Sequence, residues 1–453
     1  MQALSGWISL GAAYDSRERV PASRCHPGTR AEILGGIEEW IQAGTGATKL
    51  LWIHGPAGAG KSVIAQTVAE TCAERGQLAA NFFFSRSNSG RNSLKHLFPT
   101  IAVQISMSCP RKRQKLQEIL RDDPYIAYRA SGSIDLLVSL YDQPVTPPGG
   151  PTPLSSPFLV IIDGLDEVQG NNDQSIILSD IYELVNKRRL PLRFLILSRP
   201  ESHIQEMFDE PVMSRVTKVL SIYGDFGAYL DVMTYLRDEF RRIRESKRHK
   251  DILQSVPKPW PSDRVIQLIA EKSGGYFIYA ATVIKYVDEE YFSCPDRLDQ
   301  VLGISAALHG PAEMPFAELD KLYCSVLSAC PKPRLPLLKR ILGFLQDYAK
   351  VSNIEAFLGL RPGEVKLILR GLRSIVAVDT RGGLRSFHAS FLDFLLDPTR
   401  AKGYHVDIEE WHTSNFHRIF SLVNNSMPAP QPQGIQNRLV LIVVRYFRFK
   451  THI

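Results

Sequence analysis

Residues 55–62 read Gly-Pro-Ala-Gly-Ala-Gly-Lys-Ser, which fits the pattern G-x-x-x-x-G-K-[ST]. Glycines at these places let successive backbone N–H groups turn inward around a phosphate chain. The lysine then reaches the outer phosphates as a point charge, and the hydroxyl enters the coordination shell of Mg²⁺, an ion that keeps most of its waters and needs few protein ligands. The expectation is a nucleotide cradle made of Gly55, Pro56, Ala57, Gly58, Ala59, Gly60, Lys61 and Ser62 together with the following Val63, with Ser62 as a metal ligand. About a hundred residues later comes Asp163-Gly164-Leu165-Asp166-Glu167. Here Asp163 would hold the magnesium, directly or through water, and Asp166 or Glu167 would polarise an attacking water as a general base. A third group, Ser198-Arg199-Pro200, offers Arg199 to the terminal phosphate oxygens through charge-assisted hydrogen bonds. The chemistry these three groups could do together is cleavage of a β–γ phosphoanhydride.

Such groups must be held at strand ends, and the surrounding residues supply strands. Residues 49–54 form a short apolar run that stops at Gly55. From Ser62 to Arg75 the spacing of Ile64, Val68 and Cys72 predicts a helix, and residues 79–84 a buried strand. The alternation continues with a helix over 93–107, a strand over 158–162, a helix over 176–186 and a strand over 193–197. Repeated alternation of this kind predicts an α/β fold, a parallel sheet sandwiched by helices, with carboxylates delivered at the C-terminal edge where ligands of open sheets bind. A lead-in helix is predicted from Ile33, Leu34, Ile37, Trp40 and Ile41, with Thr29 as a candidate cap. Residues 143–157, with six prolines and two glycines, predict an exposed loop. Residues 225–290 read as helices. Four further helical segments follow near 316–329, 335–347, 352–358 and 362–373, and then a small hairpin turning at Arg381-Gly382-Gly383. Helices followed by a hairpin predict a winged-helix arrangement.

Together GPAGAGKS, the strand-borne IIDGLDE and the strand-borne LILSRP resemble the Walker A, Walker B and sensor elements of NACHT-domain NTPases. Within that group the sequence is most similar to the nephrocystin-type NACHT proteins of filamentous fungi. These are STAND-class signalling ATPases related to animal NOD-like receptors and plant resistance proteins. The resemblance spans about residues 15–405. It implies that Cys25-His26-Pro27-Gly28-Thr29-Arg30 is the lead-in lying near the adenine base. It also implies that Phe387-His388-Ala389-Ser390-Phe391-Leu392-Asp393-Phe394-Leu395 is the winged-helix signature, with His388 reaching back to the ADP β-phosphate. The reading of the residues alone leaves His388 the plainer role of a core histidine bonded to backbone. At Gly274-Gly275-Tyr276-Phe277-Ile278-Tyr279 the proline of the family's turn is absent, so the aromatic stripe is expected to pack between helices.

Composition narrows the partners. The chain has 453 residues, 44% apolar and 22% charged, a globular balance long enough for several cores. Its net charge is +7, from 54 basic and 47 acidic residues that are mostly interspersed. That mixture, including the run from Arg237 to Lys250 broken by Asp238, Glu239 and Glu245, argues for a wet surface and against a nucleic-acid partner. Apolar runs are too short to span a membrane. Six cysteines without a Cys-x-x-Cys pair suit a reducing, cytoplasmic setting. The expected organisation is a lead-in over 1–48, a P-loop nucleotide-binding domain over 49–222, a helical domain over 223–305, a winged-helix-like domain over 306–404 and a helical stub or tail over 405–453. The resemblance implies ATP/ADP with Mg²⁺ and self-association through the nucleotide-binding domain, and hydrolysis is expected to be slow because the sequence shows no obvious internal arginine finger beyond Arg199. Without visible effector or repeat modules, the expectation is a core switch acting with separate effector or sensor proteins, or a truncated remnant. The competing expectation is a scaffold that binds nucleotide without hydrolysing it.

Overall fold

The computed structural model describes residues 4–19, 22–43, 48–86, 88, 90–108, 110–128, 132–141, 158–222, 226–306, 317–346, 349–379 and 381–415. The predicted loop over 143–157 and the tail beyond 415 lie outside the described residues.

Five strands, β1 (Leu50–His54), β2 (Leu78–Phe83), β3 (Leu159–Asp163), β4 (Arg193–Ser198) and β5 (Thr217–Ser221), form one parallel sheet in the order β2-β3-β4-β1-β5. This is the α/β sandwich anticipated from the alternation. Period-two geometry sends successive side chains to opposite faces. Leu50 and Trp52 of β1, Val160 and Ile162 of β3, and Phe194 and Ile196 of β4 therefore pack into one core, while Leu51, Ile53, Leu159, Ile161, Leu195 and Leu197 pack into the other. Both faces are dry, which is why these strands read as continuous apolar runs. Residues 4–19 lie along the β2 edge, where Leu4 and Ala12 join the core and Asn81 Oδ1 accepts from the Tyr14 N–H at 2.7 Å.

Some boundaries shift. The helix expected over 176–186 starts five residues earlier, as Asn171–Tyr182, and ends in a wide turn over Glu183–Lys187. Its polar first turn, with Asn171, Asn172 and Asp173, hides the start from a search for apolar spacing. Asp163 falls inside β3 and is the strand's last residue, not the first beyond it. Helices Pro110–Asp122 and Ser202–Asp209 and the edge strand β5 were not singled out from the pattern. In β5 only Thr217 is buried, and Val219 and Ser221 are exposed.

Beyond the sheet, helices Phe226–Glu245, Asp263–Ser273, Phe277–Val287, Ala317–Leu327, Leu335–Gly343 and Val351–Leu358 precede an antiparallel hairpin, β6 (Val376–Val378) and β7 (Leu384–Ser386), and helix Ala389–Leu396. One apolar cluster runs unbroken from Val232 to Val406 through all of them. The aromatic stripe packs as expected: Tyr279 is buried and Phe277 meets Tyr235 edge-on. The basic run is a solvated face of ion pairs, among them Arg241–Asp238 at 3.0 Å and Arg242–Glu239 at 2.9 Å. No helix among the described residues is long and apolar enough to cross a membrane.

Candidate functional site

The ends of β1, β3 and β4 converge on one point. β1 runs into the loop 55–60, in which Gly58 and Gly60 have φ of +77° and +91°, values that L side chains avoid. Gly60 is also the residue before helix Lys61–Glu74, so the loop empties onto that helix's N-terminus, where unpaired N–H groups favour an anion. A β-carbon at Gly55 would lie 2.6 Å from the Ile222 carbonyl oxygen, and one at Gly58 would collide with the Ile278 side chain of helix Phe277–Val287. The loop is therefore clamped between the sheet and the helical region. Lys61 folds its ammonium back onto the carbonyls of Gly55 (2.7 Å) and Pro56 (2.9 Å). Burial lowers its pKa, opposed chiefly by the carboxylate of Asp166.

Asp163 ends the fully buried β3. Gly164, at φ +77°, then turns the chain into the short 3₁₀ turn Leu165–Glu167. The Ser62 hydroxyl lies beside the Asp163 carboxylate, whose pKa burial pushes up to about 6 against the pull of Ser62, Arg19 and Lys61. Its Oδ1 is buried and lacks a hydrogen-bond partner among the described residues. A carboxylate oxygen so placed beside a hydroxyl fits a hard divalent cation. No group of three or more His, Cys, Asp or Glu among the described residues is arranged to hold a metal by itself. Glu167 receives the Arg86 backbone N–H on Oε2 at 3.0 Å. Burial and then the neighbouring Asp166 raise its pKa to about 7, which is where a general base works best.

Arg199 follows β4 and is held from two sides. Asp166 Oδ1 accepts its backbone N–H at 2.9 Å, and Asp166 Oδ2 lies 3.2 Å from its Nε. On the other side Asp393, from helix Ala389–Leu396, reaches its Nη2 at 2.8 Å and Arg86 at 3.6 Å. Burial alone would lower the pKa of Arg199, but the two carboxylates outweigh it and the net shift is upward. A cavity of about 300 Å³ lies at this junction, lined by Pro56, Ala57, Arg199, Pro200, Glu201, Ser390, Asp393 and Arg400.

His388 caps helix Ala389–Leu396, its Nδ1 accepting from the Ser390 N–H at 3.0 Å and lying 2.8 Å from the Ser390 hydroxyl. Burial, followed by the charges of Lys61, Arg199 and Lys285, lowers its pKa to about 3. With Nδ1 accepting, the neutral ring carries its proton on Nε2. The backbone bond expected of a core histidine is made, and the ring lies within the field of Lys61 and Arg199. The lead-in also reaches the loop: Arg30 donates to the Ala59 carbonyl at 2.9 Å, its own N–H bonds Asp231 at 2.9 Å, and its guanidinium lies 5.0 Å from the Phe277 ring centre.

The structure thus brings together every residue singled out from the three motifs, and His388 with them. Reasoning from sequence assigned no role to Asp393, Arg86, Ile278 or Arg19. Asp393 lies inside the segment 387–395, and its one available signal was that it is the polar residue between the inward-facing Phe391 and Phe394.

A glycine-rich loop after the first strand, an aspartate ending another strand and an arginine at the end of the strand between them are the arrangement of the P-loop NTPase fold. Residues 28–199, which contain all three motifs, match the family described as Nephrocystin 3, N-terminal. No curated protein matches the chain. Among solved structures it is similar to Cdc6p from Pyrobaculum aerophilum, at 12% identity and a TM-score of 0.38 over 88% of this chain and 97% of that one. It is also similar to a DNA replication initiation factor, at 13% identity and a TM-score of 0.26 over 85% and 92%. Likenesses this distant have no bearing on function.

Proposed function

We propose that the chain is a nucleotide-dependent signalling switch of the NACHT/STAND class, which binds ATP or ADP with Mg²⁺ and hydrolyses the β–γ bond slowly. The P-loop amides and Lys61 would hold the phosphates, Ser62 and Asp163 the metal, and Glu167 would take the proton of the attacking water while Asp166 orients Arg199. Magnesium supplies charge neutralisation at the outer phosphates when bound. One observation carries the switching part of this reading: Arg199, the cation facing the terminal-phosphate end, is ion-paired at 2.8 Å to Asp393 of the winged-helix region. A γ-phosphate and Asp393 would compete for one guanidinium, so a triphosphate would loosen the contact that a diphosphate leaves intact. His388, donating from Nε2, would add a contact to the diphosphate. Moving such an equilibrium from about 1:99 to 99:1 takes roughly 5.5 kcal/mol of differential binding, of which these two contacts are a part. Opening would free the nucleotide-binding domain to self-associate and to meet separate effector or sensor proteins.

The direct test is to purify the chain, denature it and identify the nucleotide released, with Lys61→Ala expected to release none. A well-folded preparation that carries and takes up neither adenine nor guanine nucleotide in the presence of magnesium would end this reading. Binding without any turnover, with or without partners, would favour the non-hydrolysing scaffold, whose stability alone depends on the ligand.

A further inference from the structure

Arg19 was not among the candidate residues, yet it lies beside the metal end of the site. Its guanidinium stacks 3.6 Å from the centre of the Phe83 ring. Phe83 is the last residue of β2 and pairs in register with Asp163 on β3, so the stack sits level with the metal carboxylate. One terminal nitrogen donates to Gln66 Oε1 at 3.0 Å. Gln66 follows Ser62 by four residues on the same helix, hence on the same face one turn on. The Nε–H is buried and has no hydrogen-bond partner among the described residues. The charges that face the group are Asp163 and Glu167, opposed by Arg91. The segment leading to it is fixed at two points: Gln66 Nε2 donates to the Tyr14 carbonyl at 3.1 Å, and Glu18 pairs with Arg381 of the hairpin turn at 2.9 Å.

A guanidinium next to the carboxylate that would hold Mg²⁺ places two cations on one anion. That arrangement is balanced only when a further, strongly negative group enters between them. The outer phosphate of a bound triphosphate is such a group. We propose that Arg19 is an arginine finger supplied by the chain's own N-terminal segment, donating to the oxygens of the terminal phosphate during hydrolysis. In that step the water oxygen bonds to the γ-phosphorus and its proton passes to the Glu167 carboxylate. The bond from phosphorus to the β–γ bridging oxygen breaks, and its electron pair leaves with the diphosphate. Arg19 neutralises charge on the transferring phosphoryl oxygens and exchanges no proton. Arginine suits the place because its planar fork can stack on Phe83 and still present donors sideways, which an ammonium cannot. The inference rests on the hydrolytic reading given above and adds a residue to it.

The test uses the full chain with Arg19→Ala and Arg19→Gln, measuring single-turnover hydrolysis of Mg·ATP and the affinities for Mg·ADP and Mg·ATP. A finger of this kind contributes about 10³-fold or more to the rate, so hydrolysis should fall at least a hundredfold while Mg·ADP affinity stays within about threefold of wild type. Wild-type rates in a folded variant overturn the assignment alone. So does a loss of affinity for both nucleotides with an unchanged rate at saturation, which is the mark of a structural role. If the alanine variant does not fold, the glutamine variant, able to keep the Gln66 contact, decides by the same comparison. A wild-type protein that binds nucleotide but never turns it over removes the hydrolytic reading and this assignment together.

Discussion

The two walls of the cleft are built by different rules and carry opposite chemistry. The sheet wall presents its groups from strand ends: Lys61 and Ser62 after β1, Asp163 at the end of β3, and Arg199 after β4. Each is fixed by backbone geometry, with Gly58, Gly60 and Gly164 at positive φ setting the turns. The helical wall presents side chains from the first turns of one helix: His388 as its cap, and Asp393 one turn further on. The first wall holds the cations that attract phosphate. The second offers an anion that competes with phosphate and a ring kept neutral by burial and by those same cations. Binding strength should therefore reside in the sheet wall and conformational response in the helical one.

The comparison breaks most easily where the sheet wall is attacked. Glu167→Gln should slow single-turnover hydrolysis by about 10²- to 10⁴-fold while nucleotide is still retained. If Asp166→Asn has the larger effect, the base has been assigned to the wrong carboxylate. Next in size, Lys61→Ala should weaken nucleotide by on the order of a hundredfold, the worth of a charge-assisted contact to phosphate, as read by the nucleotide recovered from denatured protein. Nucleotide occupancy equal to wild type would show that the loop amides suffice.

The helical wall should respond differently. Asp393→Asn removes the competitor for Arg199, so ATP should gain on ADP by about tenfold, roughly 1.4 kcal/mol for one partly buried ion pair. The variant should also expand in small-angle scattering at lower ATP. Equal effects on both nucleotides would mean that Asp393 holds the walls together without reading the phosphate. The pH dependence belongs to the sheet wall alone. Burial raises the pKa of Glu167 to about 7, so below that pH the base holds a proton and the rate should fall about tenfold per pH unit, flattening above it. Because the folded state takes up a proton that an ordinary glutamate would have lost, this group's share of stability is greatest at low pH and declines as pH rises from the usual glutamate range to about 7. A flat rate profile from pH 5 to 8 would remove Glu167 as the base.

How much of this was legible follows the same division. The P-loop, the acidic turn and Arg199 were readable because each depends on a short spacing and a local backbone conformation that only certain residues permit. The fold was readable because a sheet buried on both faces leaves unbroken apolar runs. Asp393 and Arg19 were not, because their partners lie far away in the chain, at Arg199 and at Phe83 and Gln66, and nothing in their neighbours announces the contact. Arg30 stood in a quoted segment, but its bond to the Ala59 carbonyl depends on how the lead-in crosses the loop. The helix at Asn171 began too early for apolar spacing to find, because its first turn is polar.

The smallest expected effect sharpens the comparison most, because at His388 capping and a contact to nucleotide can be told apart. As a cap its Nδ1 accepts the Ser390 N–H at 3.0 Å, a role worth about 1 kcal/mol. As a neutral donor its Nε2–H could face the diphosphate. His388→Asn separates the two, since asparagine is among the best caps but its shorter side chain ends near the Nδ1 position and cannot reach as far as Nε2. The melting temperature should stay within about 2–4 °C of wild type, the change that 1 kcal/mol makes in a domain of 150–250 residues, while the dissociation of ADP should quicken several-fold, on the scale of one hydrogen bond lost. If melting and ADP dissociation are both unchanged, His388 is a cap and nothing more, and the closed state would then depend on Asp393 alone.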